Sequence, residues 1–154
     1  MTEPAPLNSL YQQLILEHYR HPKNKSDLPD KTVEVRMHNP VCGDEIQLQL
    51  KVEGDEIKSA HFAGQGCSIS QASVSMMTSL LVGRKLSDAD ALAARFTELM
   101  HSNAGAATDK SLGDLRALQG VAKFPVRIKC ALLGFDALLE ALKQSGYSGG
   151  GKTP

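Results

Sequence analysis

The 154-residue chain has 42% hydrophobic residues, which is enough to build one ordinary core. Lysine plus arginine and aspartate plus glutamate both total 17, and this balance argues against nucleic acid or an anionic membrane surface as the partner. The sequence has no signal pattern and no run of about 18 apolar residues, so we expect a cytoplasmic protein.

The first half of the chain predicts one helix and three strands. Apolar residues recur with helical spacing over residues 7–19, and Pro22 ends that helix. Apolar and polar residues then alternate over residues 33–38 and 46–52, and a third strand-like segment follows over residues 56–63. Short turns join these three segments, which therefore form an antiparallel meander.

The second half predicts helices. One begins at Cys67 and is stopped by Gly83, and Ser87 with Asp90 forms a capping box that opens another helix ending near Met100.

Residues 101–120 lack a clear period, which indicates an insertion with weak structure and one short helix around residues 112–118. Pro125 suits the first position of a final helix that ends at Gly146, with an apolar stripe centred on Phe135.

These elements together predict an α+β fold, in which a small three-stranded antiparallel sheet packs one face against several helices. We expect one domain over residues 1–146, a disordered tail over residues 147–154, and a monomer.

Three cysteines and one aspartate are the candidate functional residues. Cys42 and Asp44 lie in a turn between two strands, and Cys67 and Cys130 lie near the starts of helices. An odd cysteine count without an export signal argues against a disulfide framework. Thiolates completed by a carboxylate suit a tetrahedral zinc or iron centre, although a cysteine taken singly is more often a small buried residue.

The helical positions of two cysteines favour a site over burial. Cys130 lies roughly 140° from the centre of its helix's apolar stripe, and Cys67 roughly 120° from its own. Both are expected in a first helical turn, where free amides lower a thiol's pKa. The cysteines are 25 and 63 residues apart, which matches no zinc finger, so the fold must assemble the site.

Histidines and glycines offer weaker candidates. His18 and His61 fit the periodic patterns of packed or surface side chains, and no histidine stands beside a cysteine. Gly64 and Gly66 suggest a phosphate-binding loop, but the Lys-Ser or Lys-Thr pair that such a loop needs does not follow.

Four blocks in this order resemble the IscU/NifU-N family of iron–sulfur cluster assembly proteins, and they span most of the chain. The blocks are Leu10-Tyr11-Gln12-Gln13-Leu14-Ile15-Leu16-Glu17-His18-Tyr19-Arg20-His21-Pro22-Lys23-Asn24, Asn39-Pro40-Val41-Cys42-Gly43-Asp44, Gly64-Gln65-Gly66-Cys67-Ser68-Ile69-Ser70-Gln71-Ala72-Ser73 and Arg127-Ile128-Lys129-Cys130. Lys129 stands where the IscU scaffolds have histidine, and the spacer before Cys130 is longer, so the sequence resembles the SufU branch.

The SufU resemblance implies a zinc ion held by Cys42, Asp44, Cys67 and Cys130, in a sulfurtransferase that acts only with a cysteine desulfurase of the SufS type. On this resemblance, a desulfurase histidine would displace Cys42 from zinc, and the Cys42 thiolate would then take the outer sulfur of the desulfurase persulfide. A downstream iron–sulfur scaffold or another acceptor receives that sulfur. Arg127 steadies the site or binds the partner, with a solvated surface arginine as the alternative.

Two other functions stay open. A scaffold would assemble and deliver a [2Fe-2S] cluster on Cys42, Cys67 and Cys130. A structural zinc module is less favoured, because a carboxylate ligand gives a less closed site than four thiolates.

Overall fold

The computed structural model describes residues 9–40 and 43–147. The elements of this part of the chain are α1 (Ser9–Arg20), β1 (Val33–Asn39), β2 (Asp44–Glu53), β3 (Glu56–Gln65), α2 (Ser68–Leu81), α3 (Leu86–Met100), α4 (Ala104–Ala107), a 3₁₀ segment (Lys110–Lys123) and α5 (Pro125–Gln144). None of the helices within these ranges has the length and apolarity needed to cross a membrane.

The three strands form one antiparallel sheet in the order β1-β2-β3, which confirms the predicted meander. Val35 pairs with Leu48, and Leu48 pairs with Phe62. All three side chains are buried, so the alternating apolar residues face the helices. β3 runs to Gln65, two residues past its predicted end.

The helices form two layers on one face of the sheet. α5 contacts β1 and β2, and α2 contacts β3, so these two helices make the inner layer. The outer layer consists of α1, α3 and the 3₁₀ segment. Because α2 lies between the sheet and the outer layer, residues 70–78 are all buried. The predicted α+β class, with a small sheet covered by helices, is confirmed.

Helix α1 buries a narrower stripe than its period predicts. Ile15 and His18 are buried, whereas Leu10 is 67% exposed. His18 Nδ1 lies 2.8 Å from Ser75 Oγ, and its Nε2 lies 2.9 Å from Asp114 Oδ2. His18 is therefore a packed histidine, as predicted, and it connects three elements.

The expectation of weak structure over residues 101–120 is wrong. Residues 110–123 form two short helical stretches that meet at Gly113, whose φ of 53° and ψ of −132° are not helical. Beyond this kink, buried residues recur at every third position, at Leu115, Leu118 and Val121. Three residues per turn is the period of a 3₁₀ helix, which a search for the α-helical period of 3.6 misses. This segment supplies part of the core.

Asp109 anchors the start of the 3₁₀ segment. Its carboxylate accepts hydrogen bonds from the amide and hydroxyl of Ser111 and from Arg95 Nε. These interactions, Ser111 first, lower the pKa of Asp109 to about 2. The segment is thus held at its first turn as well as through its core.

The predicted capping box of α3 is also wrong. Helix α3 begins at Leu86, so Ser87 lies inside the helix and cannot cap it. The start is set by a tertiary contact instead, in which the Leu86 amide donates to the Asp55 carbonyl at 2.8 Å.

The C-terminal end of α5 is followed by an anchored residue. The Tyr147 hydroxyl donates to Asp90 Oδ2 at 3.1 Å, and its amide donates to the Leu142 carbonyl at 3.0 Å. The rest of the predicted tail, residues 148–154, lies outside the described residues.

Candidate metal centre

Asp44 projects from the first position of β2 into the interior. It pairs with Asn39 of β1 and is 0% exposed. The Gly43 amide donates to the Asn39 carbonyl at 2.7 Å, and Gly43 has a φ of 74°. Glycine adopts this conformation without a steric cost, so the sequence Gly43-Asp44 directs a carboxylate inward at the end of the sheet.

Cys67 is held against Asp44 by its own backbone. It is the N-cap residue of α2 and is partly buried. Its amide donates to Asp44 Oδ1 at 2.8 Å, and its thiol donates to Asp44 Oδ2 at 3.4 Å. One carboxylate therefore fixes the start of α2 and also lies beside the thiol.

Gly64 and Gly66 allow the end of β3 to approach β2 this closely. A Cβ on Gly66 would lie 2.2 Å from Asp44 Oδ1, and a Cβ on Gly64 would lie 2.2 Å from the Glu45 carbonyl oxygen. Gly64 has a φ of 155° and Gly66 a φ of 146°, and both values are unfavourable for residues that have a side chain. From the sequence, these glycines suggest only a phosphate-binding loop, which the described residues 64–66 do not form. Two glycines among the three residues before Cys67 are the signal that indicates a close backbone approach.

Cys130 is fully buried, so the prediction that it points away from the core is wrong. Helix α5 lies between the sheet on one side and α3 and the 3₁₀ segment on the other, and it buries more than one stripe. The prediction of a first-turn thiol is also wrong, because Cys130 is the sixth residue of α5 and only the first four amides lack helical partners. Its Sγ lies 3.8 Å from the Val126 carbonyl oxygen.

Asp44, Cys67 and Cys130 meet although they come from three elements far apart in sequence. One carboxylate oxygen and the two Sγ atoms all lie within 4.8 Å of one another. Donor atoms around a tetrahedral zinc ion are about 3.5–3.8 Å apart, given bonds of about 2.0–2.3 Å. Small side-chain adjustments would therefore let these three donors bind one ion.

The other two predicted site residues are Cys42 and Arg127. Cys42 lies outside the described residues, and its roles as ligand and sulfur acceptor stay predictions. Arg127 is exposed and lines an open groove beside Phe124.

Comparison with known proteins identifies the family. The family model described as the NifU-like N terminal domain matches residues 10–144. The chain belongs to this family. It is 48% identical over 140 residues to the zinc-dependent sulfurtransferase SufU of Bacillus subtilis, covering 90% of this chain and 92% of that one. This relative agrees with the resemblance to the SufU branch.

Other relatives carry scaffold names. The iron–sulfur cluster assembly scaffold protein IscU of Streptococcus pyogenes is 44% identical over 141 residues, covering 92% of this chain and 87% of that one. A crystal structure from Fervidobacterium islandicum, described as a scaffold for the SUF system, has a TM-score of 0.77 and 27% identity, covering 84% of this chain and 94% of that one.

Proposed function

We propose that this protein is a zinc-dependent sulfurtransferase of iron–sulfur cluster assembly that accepts sulfur from a cysteine desulfurase on Cys42. The convergence of Asp44, Cys67 and Cys130 carries the proposal, in a chain 48% identical to a zinc-dependent sulfurtransferase. Cys42, two residues before Asp44, is the fourth ligand.

The chemistry of the three described donors fits zinc. Asp44 uses Oδ1 to hold the Cys67 amide, which leaves Oδ2 beside the Cys67 thiol. A bound zinc ion would keep the thiols deprotonated and would offset the charge of buried Asp44 and Cys130. Without a cation, a carboxylate and two thiolates this close would repel one another.

Cys42 acts as the nucleophile in the proposed transfer. Its thiolate attacks the outer sulfur of the desulfurase persulfide, the sulfur–sulfur bond of that persulfide breaks, and the desulfurase thiolate leaves. The new sulfur–sulfur bond is on Cys42, and no outside oxidant or reductant is consumed. Cys130 is a poorer acceptor because it is fully buried in α5. A downstream scaffold or other acceptor then takes the sulfur.

A second candidate function is a scaffold for a [2Fe-2S] cluster. Cysteine thiolates are the usual cluster ligands, and the described donors include two of them. The 44% identity to a protein named as an IscU scaffold favours this alternative. Lys129 stands directly before Cys130, where the IscU scaffolds have histidine, and this difference favours the sulfurtransferase.

One experiment on two proteins tests the proposal. The wild-type chain and Cys42→Ala are purified without oxygen from the native host, and zinc, iron, acid-labile sulfide and transfer of radiolabelled sulfur from the desulfurase are measured. We expect about one zinc per wild-type chain without sulfide, as four donors around one ion require. We expect Cys42→Ala to accept no sulfur.

Two outcomes would contradict this expectation. Iron with an equal amount of sulfide in the wild-type protein supports the scaffold function instead. Undiminished sulfur acceptance by Cys42→Ala would show that another residue is the acceptor.

A further inference from the structure

We propose that the sulfur donor docks on an apolar and basic surface at the start of α5. This surface, the Phe124 surface, consists of Lys123, Phe124, Val126 and Arg127. The inference rests on the proposed function, since it names the surface through which the desulfurase reaches Cys42.

The Phe124 surface exposes apolar side chains on a fixed backbone. Phe124 and Val126 are 51% and 62% exposed. The Phe124 amide donates to the Val121 carbonyl, and the Phe124 carbonyl accepts from the amides of Arg127 and Ile128. Because this backbone is already ordered, a partner that covers the two side chains gains apolar contact with little loss of chain entropy.

A groove at this surface is lined by residues that neighbour the candidate ligands in sequence. The groove has a volume of about 460 Å³ and is lined by Ser68, Ile69, Val121, Phe124 and Arg127. Two of these residues adjoin the candidate ligands: Ser68 directly follows Cys67 in sequence, and Arg127 stands three residues before Cys130. A side chain of a partner seated in the groove therefore lies beside the centre where sulfur is to be transferred.

The charge of the Phe124 surface selects an acidic partner. Residues 121–135 contain Lys123, Arg127 and Lys129 but no carboxylate. Within the part of the chain that the structure describes, none of these three cations forms an ion pair. We therefore assign the groove to a desulfurase segment that carries an apolar side chain ringed by carboxylates, close to its persulfide.

Two surface variants test the assignment with the desulfurase of the same host as the probe. One is Val126→Ser, and the other is Arg127→Glu. Each is exposed, so the fold and the metal content should be unchanged. Isothermal titration calorimetry should show each variant binding the desulfurase roughly tenfold or more weakly than wild type.

Matched controls stand at the far ends of the same helices. Val82→Ser changes a 52% exposed valine at the C-cap of α2, and Lys143→Glu reverses an exposed charge in the last turn of α5. Val82 lies about 21 Å along its helix from Ser68, and Lys143 lies about 24 Å along its helix from Arg127. Both controls should bind like wild type. Wild-type affinity should also fall with added salt, and Arg127→Glu should lose much of that dependence.

The possible failures are separable. If wild type takes no sulfur from the desulfurase, the proposed function fails. If wild type takes sulfur and both variants bind as tightly as the controls, the Phe124 surface is not the docking site and the inference is overturned. Loss of self-association in the variants, without loss of desulfurase binding, would overturn it in favour of a contact between two copies of the chain.

Discussion

At the scale of single residues, the absence of a side chain at Gly66 keeps Asp44 in place. Replacing Gly66 with Ala would put a Cβ 2.2 Å from Asp44 Oδ1 and 2.8 Å from its Cγ. Since the Cα of Asp44 would also be only 2.9 Å away, the side chain cannot avoid the clash in place, and the carboxylate must move away from Cys67. We expect Gly66→Ala to lower zinc affinity at least tenfold, measured by competition with a chromophoric chelator.

Gly54→Ala is the matched control for this variant. Gly54 also has a positive φ, of 63°, but a Cβ there would meet nothing within 4 Å. The control should therefore lose about 1 kcal/mol of stability from backbone strain and keep its zinc affinity. Equal zinc affinity in Gly66→Ala and Gly54→Ala would show that Asp44 does not hold the metal.

The identity of the candidate ligands was more predictable than their surroundings. Thiolates and a carboxylate are recognisable from residue type, and so Asp44, Cys67 and Cys130 could be grouped before their distances were known. Their convergence depends on close backbone contacts at Gly64 and Gly66, which have no side chain and hence no chemical signal in a sequence. The burial of Cys130 depends on what packs on both sides of α5, which a single helix period cannot show.

At the scale of secondary structure elements, the crossing of α2 and α5 sets the distance between Cys67 and Cys130. The hydroxyl of buried Ser73 donates to the Ala131 carbonyl at 2.7 Å. One turn further along α5, a Cβ on Gly134 would lie 3.2 Å from two atoms of Val74. The two helices are thus in close contact just beyond the candidate ligands.

We expect Ser73→Ala to reduce the free energy of unfolding by about 1–2 kcal/mol, because it removes a buried hydrogen bond. It should also broaden the visible spectrum of the cobalt-substituted protein, since the two thiols become less well fixed. Ser79→Ala is the control, because this serine is exposed and its hydroxyl donates a hydrogen bond to the Ser75 carbonyl within α2. A control as destabilised as Ser73→Ala, with the same spectrum, would rule out the role of the helix crossing.

Strands and long helices were predictable because each repeats with a period of two or 3.6 residues. The 3₁₀ segment was not, since its buried residues beyond the kink at Gly113, at Leu115, Leu118 and Val121, repeat every three. The start of α3 was not predictable either, because a contact with Asp55, distant in sequence, competes with the local capping pattern at Ser87. Errors thus fall where tertiary contacts outweigh local preference.

At the scale of the whole molecule, the candidate centre joins the sheet to both helices of the inner layer. Asp44 belongs to β2, Cys67 is the N-cap residue of α2, and Cys130 belongs to α5. An ion bound by all three binds only the folded chain, because these residues are brought together by folding. Metal binding and folding are therefore linked, and zinc raises the free energy of unfolding in proportion to the logarithm of its concentration above Kd.

We expect zinc at 100 times its Kd to stabilise the protein by about 2.7 kcal/mol, which is about 5–10 °C in Tm for a chain of this size. Differential scanning calorimetry with zinc and with a chelator measures the difference. Asp44→Asn is the control variant, because an amide oxygen can still accept the Cys67 amide but is a weaker zinc ligand than a carboxylate. The zinc-dependent shift in Tm should shrink in that variant. A shift as large as in wild type would mean that the carboxylate serves only to position Cys67, and that the metal is held by the cysteines alone.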